Sequence, residues 1–214
     1  MVLAADRQIE ERLQAGLATM GIETSPDRVA AMGRLLVLLD KWNRAFNLTA
    51  VRDIDEMVAR HFLDSLSARP FLTGTSILDV GTGPGFPGLP LAMVEPQRHF
   101  TLLDSGGKKI RFVRHAVGEL GLDNVLPEQV RVEAFEPADL YDVVISRAFS
   151  SLADFVRRCG HLVANGGHLL AMKGRYPDAE LTELPAGWSV QAVTPLQVPG
   201  LAGERHMVVL ERAG

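Results

Sequence analysis

Cysteine is nearly missing from this chain. Cys159 stands alone among 214 residues, which excludes an internal disulfide and any cysteine-cluster zinc site. Such scarcity fits a reducing compartment, and a cytoplasmic location is expected. Long apolar runs are missing as well, so no membrane-spanning helix is expected. The opening MVLAADRQIEERLQ mixes acids and bases early, which argues against a signal peptide. An excess of positive charge is lacking too. Net charge is −4, so any nucleic-acid role has to rest on a local basic patch. No internal repeat, low-complexity segment or metal-binding cluster stands out. What is present is ordinary globular material, 47% apolar and 22% charged, long enough for one sizeable core with a small appendage.

Residues 1–70 read as a helical N-terminal extension, although the first 25 carry no signature. Ser25-Pro26-Asp27 is a helix start, with Ser25 as cap and Pro26 in the first turn. Val29, Met32, Leu36, Leu39 and Phe46 then fall on one apolar stripe. A shorter helix is expected over 55–67. Pro70 and the Thr73-Gly74-Thr75 turn separate this part from a second unit, 71–214. In that unit short apolar runs alternate with helix-length segments. The runs are SILDV (76–80), HFTLLD (99–104), QVRVEAF (129–135), YDVVISRAF (141–149), GGHLLAMKG (166–174), GWSVQAV and ERHMVVLER. Helices are expected near 88–95, 107–120 and 151–163. Continuous apolar runs imply strands buried on both faces. The expected fold is therefore α/β, a doubly wound, mostly parallel seven-stranded sheet. The last two strands have no helix between them and should form an antiparallel edge hairpin.

DVGTGPGFPG, Asp79 to Gly88, follows the first of these strands. Gly83, Gly85 and Gly88 satisfy G-x-G-x-x-G, the dinucleotide fingerprint, which alone is weak. Asp104 at the end of the second strand strengthens it, because such an acid bonds ribose hydroxyls. The prolines select the ligand. Pyrophosphate is held by backbone N–H groups, and Pro84, Pro87 and Pro90 have none. S-adenosylmethionine suits the loop better: it carries an adenosine without phosphate, and its cationic sulfur prefers a nearby acid such as Asp79. The loop also matches acid-x-Gly-x-Gly-x-Gly as Asp79, Gly81, Gly83 and Gly85. Further polar residues are expected at strand ends, where open α/β sheets bind ligands: Glu133 on the third, Arg147 on the fourth and Lys173 on the fifth.

At these residues the chain resembles the glucose-inhibited division protein B family, bacterial methyltransferases of small-subunit 16S ribosomal RNA that act on guanine N7. The matching stretches are KWNRAFNLTAVRD, RHFLDSL, DVGTGPGFPGLPLA, FTLLDSGGKKIRF, VISRAF, MKG and VPGLAGERHMVV, most of the chain beyond Trp42. The resemblance implies a Rossmann-like class I methyltransferase fold. It implies that Gly81, Phe86, Val132, Glu133 and Arg147 contact S-adenosylmethionine, and that the partner is 16S ribosomal RNA or the small ribosomal subunit. Neither a metal nor a membrane is implied.

Guanine N7 carries a lone pair and no proton, so its methylation needs no general base, and no catalytic acid or base is assigned. Positioning and electrostatics should dominate. Arg147 should not make the usual bidentate contact to O6 and N7, which would block the nucleophile. It is expected to hold the cofactor carboxylate or to border both ligands. RNA contacts are expected from Lys108, Lys109, Arg111, Lys173 and Arg205, with Arg114, Arg175 and His206 as further candidates. Lys108 and Lys109 open a helix, where the dipole disfavours cations, so a phosphate-facing role stands level with the alternative of a merely solvated face. Arg60 and Asp64 have ion-pair spacing, and Asn47, Arg52 and His61 read as structural. Trp42 and Phe46 read as core. Two rivals stand beside this reading: a nicotinamide-dependent dehydrogenase, and a noncatalytic ribosome-binding module on a methyltransferase fold.

Overall fold

The computed structural model describes residues 2–213. Its N-terminal part is helical, as α1 (Val2–Thr19), α2 (Pro26–Phe46) and a bent segment of α3 (Ile54–Met57), a π-helical stretch (Val58–Leu63) and α4 (Asp64–Leu66). Ser25 caps α2 by accepting from the Arg28 N–H, with Pro26 at the first helical position. The helix ends at Asn47, which takes the left-handed conformation, φ 53°. Val29, Met32, Leu36 and Leu39 are buried as the stripe requires, whereas Phe46 is 37% exposed. Asn43 takes the buried place instead. Its amide donates to Val51 O and accepts from Thr49 N, fastening the loop after α2.

Seven strands follow: β1 (Ser76–Val80), β2 (His99–Leu103), β3 (Val125–Glu128), β4 (Tyr141–Ser146), β5 (Val163–Lys173), β6 (Trp188–Pro195) and β7 (His206–Arg212). They form one sheet in the order β3-β2-β1-β4-β5-β7-β6. The first five are parallel; β7 runs antiparallel to both β5 and β6. The edge hairpin is thus present, with β7 inserted between β5 and the edge strand β6. Strand order reverses between β1 and β4, which places a ligand crevice at the carboxyl end of β1.

Alternate residues of each strand face opposite layers. Ile77, Phe100, Leu102, Val143 and Ile145 share a core with α1, α2, the 54–66 segment, α5 (Gly88–Val94) and α6 (Gly107–Leu120). Leu78, Val80, Leu103, Val144 and Leu169 pack instead with Phe155, Val156 and Cys159 of α7 (Leu152–Cys159). A last short helix, α8 (Asp178–Leu181), follows β5. The N-terminal helices therefore complete one face of the sheet's own core.

One strand differs from expectation. The third strand is Val125–Glu128, not 129–135, and residues 132–134 form a 3₁₀ turn. Pro127 is tolerated there because β3 is an edge strand. Val130 and Val132 alternate like strand residues, but both line the crevice at the strand ends rather than a sheet face.

Candidate functional site

The glycine loop satisfies its hydrogen-bond donors internally. Gly81 and Thr82 donate to Leu103 O, and Gly85 and Phe86 donate to Thr82 O. Gly83 donates to Asp104 Oδ2 at 3.0 Å and Gly88 to Asp79 Oδ2 at 2.8 Å. Residues 84 and 87 are proline. No N–H from Gly81 to Gly88 is left for a phosphate, so the loop lacks what a pyrophosphate needs. That geometry removes the physical basis of the dehydrogenase alternative.

Three of these glycines have positive φ: Gly81 at 71°, Gly83 at 61° and Gly85 at 94°. The left-handed turns let the chain fold tightly over the end of β1. Asp79 lies beneath it, fully buried. Its Oδ2 accepts from Thr82 Oγ1 at 2.6 Å as well as from Gly88. Oδ1 has no partner. Burial pushes the carboxyl up to about 6, against the hydrogen bonds from Thr82 and Gly88. Asp79 is therefore a brace inside the loop and not an acid facing the crevice, a correction to its expected place beside a cationic ligand.

Asp104 does reach the crevice. Its Oδ1 accepts from Gly106 N at 2.8 Å, its Oδ2 from Gly83 N and from Lys109 Nζ at 3.3 Å. A carboxylate has about four acceptor positions, so one remains for a ribose hydroxyl, and release of the longer Lys109 contact would free a second. The crevice measures about 290 Å³ and is lined by Gly81, Asp104, Val132, Glu133, Phe149 and others. Four of the residues expected to hold cofactor thus meet in one cleft. Glu133 reaches it from the 3₁₀ turn, not from a strand end. Its carboxyl is held below the usual range by its own backbone N–H and by Arg158, with which it pairs. Arg158 and Phe149 were not singled out from sequence, since only the turn after β3 and the packing of α7 bring them here.

Phe86 and Arg147 fall outside that lining, in a second group. Phe86 is 2% exposed and stacks on His61 with centroids 5.1 Å apart; the Arg147 guanidinium lies 6.0 Å from its ring. Arg147 donates to Asp64 Oδ2 at 2.8 Å, and Arg205 donates to Asp64 Oδ1 at 3.2 Å. The Arg60–Asp64 pair expected from helical spacing does not form. A π-helical step, with Asp64 N bonded to Ala59 O, turns Asp64 away, and Arg60 pairs with Glu56. His61 Nε2 meets Thr49 Oγ1 at 2.8 Å. Burial and Arg147 hold its imidazole down at about 4, so it is neutral at pH 7.

The five residues expected to touch RNA do not make one surface. Lys108 and Arg111 are exposed and have no ion pair among the described residues. Lys109 turns inward to Asp104 and lines the crevice. Lys173 is only 11% exposed and is bound to Glu180 at 2.8 Å and to the carbonyls of Phe149 and Ser150. Arg205 is engaged by Asp64 but keeps 29% of its side chain exposed. Trp42 packs on Phe112 and His115 of α6, while Phe46 covers one side of it from solvent. Among the described residues no cluster of three or more His, Cys, Asp or Glu could hold a metal, and no helix is long and apolar enough to cross a membrane.

This geometry has known counterparts. Solved structures share the fold: a glycopeptide N-methyltransferase MtfA in complex with S-adenosylhomocysteine matches with TM-score 0.60 and 14% identity, covering 72% of this chain and 87% of that one. A SAM-dependent methyltransferase from Aquifex aeolicus matches with TM-score 0.56 and 20% identity, over 73% and 93%. Curated relatives are much more similar. A ribosomal RNA small subunit methyltransferase G of Stenotrophomonas maltophilia (strain K279a) is 52% identical over 92% of both chains. Its namesake from Cronobacter sakazakii (strain ATCC BAA-894) is 51% identical over 89% of this chain and 92% of its own. The family model described as rRNA small subunit methyltransferase G matches residues 28–208, and the chain belongs to that family.

Proposed function

We propose that this protein transfers a methyl group from S-adenosylmethionine to N7 of a guanine in the 16S ribosomal RNA of the small subunit. The observation that carries the cofactor reading is the glycine loop, which leaves no N–H for a phosphate yet sets Asp104 facing the cleft. Family membership carries the RNA reading. Residues 71–214 serve as the methyltransferase domain, with 1–70 as the extension that completes its core. Action in the cytoplasm, on ribosomal RNA or the small subunit, follows from the same reading.

S-adenosylmethionine, when bound, supplies an electrophilic methyl on a cationic sulfur. The chain's residues do the rest. Asp104 accepts the ribose hydroxyls, its orientation fixed by Gly83 and Gly106. Gly81 admits close backbone approach, and Gly83 and Gly85 shape the turn behind it. Val132 and Glu133 border the adenine from the 3₁₀ turn. Phe86 walls the adjoining side, with Arg147 over it. Arg147, restrained by Asp64, faces the cofactor carboxylate or lies between the two ligands. N7 attacks through its own lone pair, so no side chain has to remove a proton. The catalytic contribution is alignment in a fixed polar site.

The test is mass analysis of modified guanine in 16S ribosomal RNA from cells with and without the protein, paired with methyl transfer by purified protein from labelled cofactor. N7-methylguanine should vanish without the protein and be restored by purified protein in vitro. Unchanged guanine modification in cells lacking it would overturn the proposal. Cofactor binding without turnover on any small-subunit substrate would favour the noncatalytic ribosome-binding module.

A further inference from the structure

We propose that Tyr176 is a stacking platform for an unpaired RNA base flanking the methylated guanine, with Arg205 beside it for a phosphate. The proposal rests on the RNA reading above and extends it to a subsite. Strand β5 is parallel to β4 and β1, so Lys173 at its end lies on the same sheet edge as the glycine loop. Strand β7 runs the other way, and its first residue, His206, pairs with Lys173 in register. The loop after β5 and the residue before β7 therefore meet at the edge where open α/β sheets bind ligands.

Tyr176 is 46% exposed there. Among the large apolar side chains exposed in the described residues, it alone follows a strand's carboxyl end; Val37 and Phe46 lie on α2, Leu126 within β3 and Leu140 ahead of β4. The ring is seated. It stands perpendicular to His206, 89° with centroids 5.4 Å apart, and His206 is itself buried. An edge-to-face contact of this kind orients an aromatic ring. Arg205 approaches the same loop: its Nη1 is 3.8 Å from where a Cβ on Gly174 would stand, two residues before Tyr176. Asp64 fixes that guanidinium from below and Arg147 with it. The bridge of two arginines and one aspartate retains one net positive charge and is partly exposed only through its arginines. Arg175, exposed, adds a second cation in the loop itself.

An oriented, half-exposed ring flanked by cations is the arrangement that binds single-stranded nucleic acid: base on ring, phosphate on arginine. Tyr176 is not among the residues that line the cofactor cleft. Tyr176 therefore serves a neighbour of the reacting guanine. Reaching the methyl requires that guanine to leave its stack, and a ring that receives the adjacent base supports this opened state.

The experiment uses the full chain and small subunits purified from cells lacking the protein. Methyl transfer is measured against subunit concentration for wild type, Tyr176→Phe and Tyr176→Ala, with calorimetric cofactor binding and urea unfolding as controls. Tyr176→Ala should raise KM for the subunit roughly five- to 150-fold, the range for removing one stacked base. Tyr176→Phe should stay within about twofold, since the ring and not the hydroxyl is used. Cofactor affinity and unfolding midpoint should stay near wild type in both. A wild-type KM in Tyr176→Ala, or equal damage in Tyr176→Phe, would overturn the subsite. Wild-type protein inert on small subunits would overturn the proposed function itself, a different result from loss confined to the alanine variant.

Discussion

His61 and Asp79 are two buried titratable residues that respond to acid with opposite sign. His61 is held down at about 4, from an ordinary 6.5, chiefly by burial. As pH falls through 6.5 the unfolded chain takes up a proton that the folded chain refuses, so His61 removes stability between about 6.5 and 4. Asp79 is raised to about 6, from an ordinary 3.8, also by burial. Its contribution is present below 3.8 and lost as pH rises through 6, so acidification over that window adds stability. Each shift corresponds to about 3 kcal/mol, less for His61, which keeps some solvent contact. In the wild type the two slopes oppose each other between pH 6 and 4. His61→Gln should uncover the Asp79 slope, giving a protein that resists acid better than wild type. Asp79→Asn should uncover the His61 slope and lose stability faster. Urea unfolding at pH 4.5 and 7 reads both, and the other carboxylates cancel in the comparison. Parallel pH profiles in all three proteins would sink the assignment.

At the scale of an element, the loop between β1 and α5 separates three glycines that look equivalent in the sequence. A Cβ on Gly83 would meet nothing within 4 Å, so Gly83→Ala carries only the strain of φ +61°. That strain is about 1–2 kcal/mol. A Cβ on Gly81 would stand 2.7 Å from the Ala148 Cβ, which has no rotamer to escape into, at φ +71°. On Gly85 it would overlap the buried Leu89 side chain, at φ +94°. Gly81→Ala and Gly85→Ala should therefore lower both the unfolding midpoint and the cofactor affinity well beyond Gly83→Ala. Calorimetry and thermal melts check the order, and equal losses at all three would contradict it. The glycine spacing was legible because left-handed turns demand glycine. Asp104 was legible because it ends an apolar run. Glu133 was legible as a residue but not in its place: Val130 and Val132 alternate like a strand, and only the crevice explains their burial. Asp64 was misread because a π-helical step defeats four-residue spacing, and no residue type announces such a step.

Over the whole molecule, strand and helix alternation was enough to give six of the seven strands, since buried strands leave continuous apolar runs; the short edge strand Val125–Glu128 leaves none. Charge was harder to read. Sequence supplies the sign of a lysine but not its partner, and three of the five cations expected to meet RNA proved engaged within the protein. This redistributes the expected salt dependence. A chain of net charge −4 repels RNA on average, so its affinity must come from few local phosphate-binding cations and fall as salt rises. Lys108 and Arg111, exposed on α6, are the two of those five with no ion pair among the described residues. Reversing both to Glu should weaken RNA binding and flatten the log–log salt slope by roughly 1.4–1.8, about 0.7–0.9 for each phosphate no longer neutralised. Cofactor affinity should hold, because neither side chain lines the cleft. Lys109→Ala should do the reverse. It frees Asp104 of its cation and alters cofactor affinity, while the RNA salt slope stays near wild type. Filter binding across a salt series, with calorimetry for the cofactor, separates the two variants. A wild-type slope in the Lys108/Arg111 variant would move the RNA face off α6, to the exposed Lys41, Arg44 and Arg52 on and just beyond α2.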